Sequence, residues 1–148
     1  QAMTLKAAIL IAALALPSAA FSWTEPARGT DLRADLMDAV RPLAEWDLGA
    51  PVEFVVWDLR AEGNAAFASL MAQRPGGAGI IMEQTPAAMR GEIDASVGDG
   101  ATIQVLLRRE GRMWVAVHYG IGATDVWYDH PDFCPLWSEV IPEICDDK

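Results

Sequence analysis

The stretch ATIQVLLRREGRMWVAVHYGIGATDVWY, Ala101 to Tyr128, constrains this chain more than any other. Two apolar runs flank a polar Arg-Glu-Gly-Arg, the pattern of a β-hairpin, and the second run leads into a helix start. With Arg109-Glu110-Gly111 as a three-residue loop and Gly111 at its left-handed position, Arg108 faces Arg112. In that register Ile103, Val105 and Leu107 share one face with Met113, Val115 and Val117. Thr102, Gln104, Leu106, Trp114, Ala116 and His118 share the other. A two-residue loop would mix the two sets, so apolar parity selects the three-residue loop. The first face reads as core and the second as amphipathic.

Upstream, Leu32, Leu36, Val40 and Leu43 recur at helical spacing within Asp31 to Leu48, with Met37, Ala39 and Trp46 widening the stripe. Thr30 or Asp31 caps this helix, Gly49 stops it, and Pro42 is expected to kink it or restart it. Pro51 to Ala61 is dense in β-branched and aromatic residues and apolar on both parities, as in a central strand, and Glu62-Gly63-Asn64 turns the chain into a partner strand, Ala65 to Gln73. The small residues Ala65, Ala66, Ala68 and Ser69 leave room for something large to lie across it: Trp57, Phe67 or the helix. Arg74 to Gly79 is a loop; no Lys-Ser or Lys-Thr follows, so it does not read as a phosphate cradle. Ile80 to Glu83 reads as a short edge strand, and Thr85-Pro86 opens a helix over Ala87 to Ala95. Thr124 or Asp125 is expected to cap a short helix, and Pro135 to Val140 to form the last one. The sum is an α+β domain: an N-terminal helix packed on a curved antiparallel sheet of about four strands, with a short helical C-terminal tail.

Compartment is read from the other end. Met3 to Ser22 has Lys6, an apolar run from Ala7 to Leu16, then Pro17 and small residues, the layout of a signal peptide. The run is shorter than the ~20 residues of a spanning helix. Cleavage after Ala20 or Ser22 leaves a single domain over 23–148, periplasmic or secreted, and Gln1-Ala2 lie outside the fold. In an exported chain the only two cysteines, Cys134 and Cys145, are expected to form a disulfide. A formal net charge of −10 disfavours phosphate backbones and anionic membranes, so nucleic acid is not an expected partner. Acidic residues concentrate late, where Asp125, Asp129, Asp132, Glu139, Glu143, Asp146 and Asp147 face only Lys148; a solvated face is the simplest reading, a dock for cations the other.

A helix followed by a meander whose last two strands read VLLRREGRMWVAVHYG resembles the cystatin-like superfamily that includes nuclear transport factor and SnoaL-type proteins. It is similar in particular to small secreted bacterial members of unknown function. The resemblance runs from about Asp31 to Tyr128. It implies a helix cradled by a bent sheet, often with a cone-shaped pocket between them, used in that superfamily for binding, dimerisation or, in some branches, catalysis. No inward Asp-His or Tyr-Asp pair here matches an enzyme branch.

Chemistry has few handles. His118 and His130 are the only histidines, no pair has zinc spacing, and Asp125, Asp129, His130 and Asp132 follow no calcium-loop pattern, so neither metal nor cofactor is expected. No Gly-x-Ser-x-Gly presents a nucleophile. What stands out is the second face of the hairpin. Trp114, Leu106, His118 and Gln104 form a half-apolar patch that is covered either by the chain's own C-terminal segment or by a protein partner or second copy. A non-catalytic binding or interaction module is therefore the leading reading. The alternative is small-molecule binding between helix and sheet, with Trp46, Trp57 and Tyr119 as liners. An isomerase- or hydratase-like enzyme would require a buried acid–base pair.

Overall fold

A computed structural model describes Ala20 and residues 22–146 of the chain, so the segment expected to be a signal peptide, Met3 to Ser22, lies almost wholly outside the described residues. The order is α1 (Asp31–Leu48), β1 (Glu53–Glu62), β2 (Ala65–Gln73), α2 (Pro86–Met89), β3 (Thr102–Glu110), β4 (Met113–Ile121), α3 (Cys134–Trp137) and α4 (Pro142–Cys145), with 3₁₀ turns at Met82–Gln84 and Pro131–Phe133. The four strands form an open antiparallel meander in chain order, with β4 at one edge and β1 at the other rather than in the centre, its outward side chains left partly exposed. The fold is α+β.

α1 begins at Thr30, whose hydroxyl accepts from the Arg33 amide at 3.3 Å, and runs through Pro42 as one element. At its other end Gly49 takes φ +82° and donates to the Glu45 carbonyl at 2.9 Å. Arg74 completes the cap by donating to the carbonyls of Leu48 (2.8 Å), Pro51 (3.0 Å) and Gly49. Leu36, Val40, Ala44 and Leu48 form the buried stripe of α1. They meet Ala66, Ala68, Leu70 and Ala72 of β2 and Ile103, Val105 and Leu107 of β3. The alanines of β2 are members of this core, while β4 is the strand that α1 approaches most closely. Each fully buried leucine in this layer contributes about 2 kcal/mol.

The opposite face of the sheet is covered too. Phe67 and Leu106 pack with Trp137, Val140, Ile141 and Cys145, flanked by Trp23, Trp127, Tyr128 and Phe133. The Cys134–Cys145 disulfide ties α3 to α4 within this outer layer, and the Trp137 indole donates to the Leu107 carbonyl at 2.8 Å. Of the two ways to cover Leu106, the chain's own C-terminal segment is the one adopted.

The hairpin departs from the register that parity selects. Its loop has two residues, Gly111 and Arg112, closed by Glu110 opposite Met113. Gly111 takes φ +62° and Arg112 does not leave the negative range, the glycine-first arrangement that matches strand twist. The expected sets are broken: Trp114 and Ala116 fall on the helix side with Ile103, Val105 and Leu107, while Met113, Val115 and Val117, expected in the core, are exposed. Val117 is then an extra residue, since Leu107 pairs with Ala116 but Leu106 with His118. This bulge shifts the phase of β4 by one. Trp114 and Ala116 before it and Ile121 after it all pack toward α1. The period of two is thus broken once along β4.

Smaller differences have local causes. The expected edge strand at Ile80 to Glu83 is coil and a 3₁₀ turn, and Thr85 caps a helix far shorter than Ala87 to Ala95. Gly91, at φ +74°, follows Arg90 and turns the chain out of the helix. Between Gly122 and His130 there are bends and turns, not a capped helix. The tail carries two short helices in place of one over Pro135 to Val140: Pro142 cannot donate into a continuing helix and starts the second instead.

Candidate functional site

The two-residue loop splits the expected patch. Trp114 is half-buried against the helix-side core, whereas Leu106 is fully buried under the tail on the other face. His118 stays exposed and rests its ring edge on the tail, with centroids 4.9 Å from Phe133 and 5.8 Å from Trp137. Gln104 is half-buried opposite Gly120, its Oε1 enclosed without a hydrogen-bond partner. Gly120 itself is the seat of Trp127: a Cβ there would meet the indole nitrogen at 2.7 Å. Alternation alone gives no signal for this aromatic seat.

What β4 does offer is its free edge. Its nine residues, MWVAVHYGI, contain no Asp, Glu, Lys, Arg or Pro. Met113, Val115, Val117 and Tyr119 are all substantially exposed. β3 holds one side of the strand, and among the described residues no strand pairs with the other. The opposite edge is guarded. β1 carries Glu53, Asp58, Arg60 and Glu62, and the lead-in segment bridges it where Thr24 pairs with Ala61 at 3.0 and 2.9 Å.

The expected pocket liners do not converge. Trp57 is 56% exposed on β1, at the edge of the sheet opposite Tyr119 on β4. Trp46 and Tyr119 do belong to one surface cluster, joined through Asp47. The Tyr119 hydroxyl donates to Asp47 Oδ2 at 3.3 Å, and Arg90 donates to Asp47 Oδ1 at 2.9 Å and to Glu92 at 2.7 Å while lying 4.8 Å over the Trp46 ring. Burial, then the Asp47 carboxylate beside it, raises the phenol of Tyr119 above its ordinary value. Arg90 and Asp47 occupy one another, so the cluster clasps α2 to the end of α1.

His118 and Asp125 are both exposed, and the neighbours of His118 are rings rather than a second titratable group. His130 lies 3.6 Å from Asp132 and accepts from the Asp132 amide at 3.2 Å, closing a local turn. Among the described residues no group of three His, Cys, Asp or Glu side chains is placed to hold a metal ion, and no helix is long and apolar enough to cross a membrane. The disulfide is compatible with an oxidising compartment. No family model, curated protein or solved structure matches the chain.

Proposed function

We propose that this chain is a periplasmic, non-catalytic protein-interaction module whose β4 edge receives an extended strand from another polypeptide. The observation that carries the reading is the uncharged, proline-free edge of β4 with four exposed apolar side chains. Such an edge presents unpaired backbone donors and acceptors, and proteins that do not use one blunt it with charges, as β1 does here. The bulge at Val117 bends the edge, which limits pairing to a defined register and disfavours open-ended stacking. A helix on a sheet, as the cystatin-like resemblance implies, is a scaffold that leaves such an edge available. The periplasmic setting rests on the signal-like Met3 to Ser22 and on the disulfide.

The test is native mass spectrometry and affinity capture on protein exported under its own leader, beside Val117→Lys. Dimer or a captured protein in the parent, lost in the variant without a change in melting temperature, supports the reading. A parent that is monomeric and captures nothing, or an association that Val117→Lys leaves intact, overturns it.

A further inference from the structure

Arginines in this acidic chain are mostly committed. Arg60 and Arg90 each hold carboxylates within 3 Å, Arg108 is paired with Glu110, and Arg74 caps α1. Arg28, Arg33 and Arg41 differ. They line a cleft of about 370 Å³ between α1 and the start of β1, and no carboxylate is among its lining residues. Two of these arginines make loose, solvent-exposed ion pairs, Arg33 with Glu25 at 3.8 Å and Arg41 with Asp38 at 3.8 Å.

Two of the guanidiniums are nevertheless held in place. Arg33 donates to the Pro26 carbonyl at 2.9 Å, and Arg41 donates to the Val52 carbonyl at 2.5 Å while lying 5.2 Å over the Phe54 ring. A guanidinium has five N–H donors, so one carbonyl orients each group and leaves others for a ligand. Arg28 makes no hydrogen bond or ion pair among the described residues. Arg33, Met37 and Arg41 follow one another at four-residue steps along α1, so they form one stripe facing Phe54 and Val56. The cleft is cationic at its ends and apolar along its floor.

We infer that this cleft binds a small organic acid, its carboxylate taken by Arg28 and Arg33 and its short apolar or aromatic body laid along Met37 against Phe54 and Val56. Inorganic anions would use the guanidiniums and waste the apolar floor. A polyanion meets the repulsion of the whole chain, net −10, whereas a single carboxylate feels mainly the charges within about a Debye length of ~8 Å. The site is independent of the β4 edge and lies across the sheet from it.

The probe is sodium benzoate, followed by ¹H–¹⁵N NMR of the backbone amides and arginine Nε–H groups, with benzamide as its neutral isostere and inorganic phosphate as a bare anion. Benzoate is expected to shift the Nε–H signals of Arg28, Arg33 and Arg41 and the amides of Phe54 to Val56 saturably, and benzamide at equal concentration to leave them unmoved. Arg28→Gln weakens benzoate roughly tenfold, the worth of one charge-assisted contact. Arg112→Gln removes the same charge from the β3–β4 turn and leaves benzoate binding unchanged. Arg28 is exposed and makes no hydrogen bond or ion pair among the described residues, so its variant is expected to fold. Equal weakening by both substitutions, equal shifts by benzamide, no saturation, or phosphate binding as tight as benzoate would each overturn the inference.

Discussion

Arg60 Nη1 donates to Glu143 Oε1 at 2.6 Å, joining the first strand to the last helix across 83 residues. The same guanidinium takes Asp58 at 2.7 Å and the Val140 carbonyl at 3.1 Å, and it lies 4.7 Å over the Trp23 ring. One side chain therefore binds the lead-in segment, β1 and the tail. Arg60→Met removes the charge and leaves two carboxylates facing each other. It is expected to cost roughly 2–3 kcal/mol. Arg60→Lys recovers only part of that, since an ammonium lacks the planar fork. Urea denaturation reads both through the midpoint at constant slope.

Loss of the disulfide should act on the outer layer and spare the inner one. The Cys134→Ala, Cys145→Ala double variant is expected to lose on the order of 3 kcal/mol. Its sheet and α1 keep their far-ultraviolet circular dichroism while Phe67 and Leu106 become accessible to a hydrophobic dye. A variant that neither loses stability nor binds dye would show that the outer layer holds without its covalent tie.

Trp114 and Val117 sit three residues apart on β4 with opposite expected phenotypes. Trp114→Ala opens the helix-side core and is expected to cost roughly 2–3 kcal/mol, less than a fully buried tryptophan. Its effect appears in thermal melts and not in assembly. Val117→Lys shows the reverse.

Gly120→Ala should fail for steric reasons alone. Gly120 is not in the left-handed range, so alanine's backbone preference is satisfied there. Its added methyl would displace Trp127, at an expected cost of about 1–3 kcal/mol. Tryptophan fluorescence should shift as the indole leaves its seat. An unshifted spectrum would mean that Trp127 does not rest on Gly120.

Both tyrosines should ionise late. Burial raises Tyr119 and, still more enclosed, Tyr128; Asp47 adds to the first and Glu143 to the second. A phenol whose folded value exceeds its unfolded value holds its proton more tightly when folded. Its contribution to stability is therefore complete below the ordinary tyrosine value near 10 and is lost as pH rises through the raised one. Titration of tyrosinate absorbance should place both groups above 10.0, and Asp47→Asn should bring down Tyr119 alone.

The layer architecture was legible because it rests on periodicity and turn chemistry. α1 is read from its apolar spacing over Asp31 to Leu48, β2 from the turn before Ala65, and the disulfide from two cysteines behind a leader-like segment. The hairpin register was not, since a single extra residue at Val117 leaves composition unchanged while inverting which side chains share a face. Trp114 lies on the face opposite Leu106 because the loop has two residues, and the bulge then keeps His118 beside Leu106. The arginine cleft was invisible for another reason: Arg28, Arg33, Arg41 and Phe54 come together only once α1 lies against β1, and sequence distance carries no trace of that contact.

The outer layer also sets an order of events. Trp137, Val140 and Ile141, which shield Phe67 and Leu106, are synthesised 24 to 28 residues after the last strand begins and after the helix-side core has all its members. During synthesis or export the sheet can thus settle on α1 while its back still faces water. A nascent or cleaved chain stopping near His130 would present that back as a sticky surface. Cys134 and Cys145 close over it last, so oxidation marks the moment at which the back of the sheet is sealed.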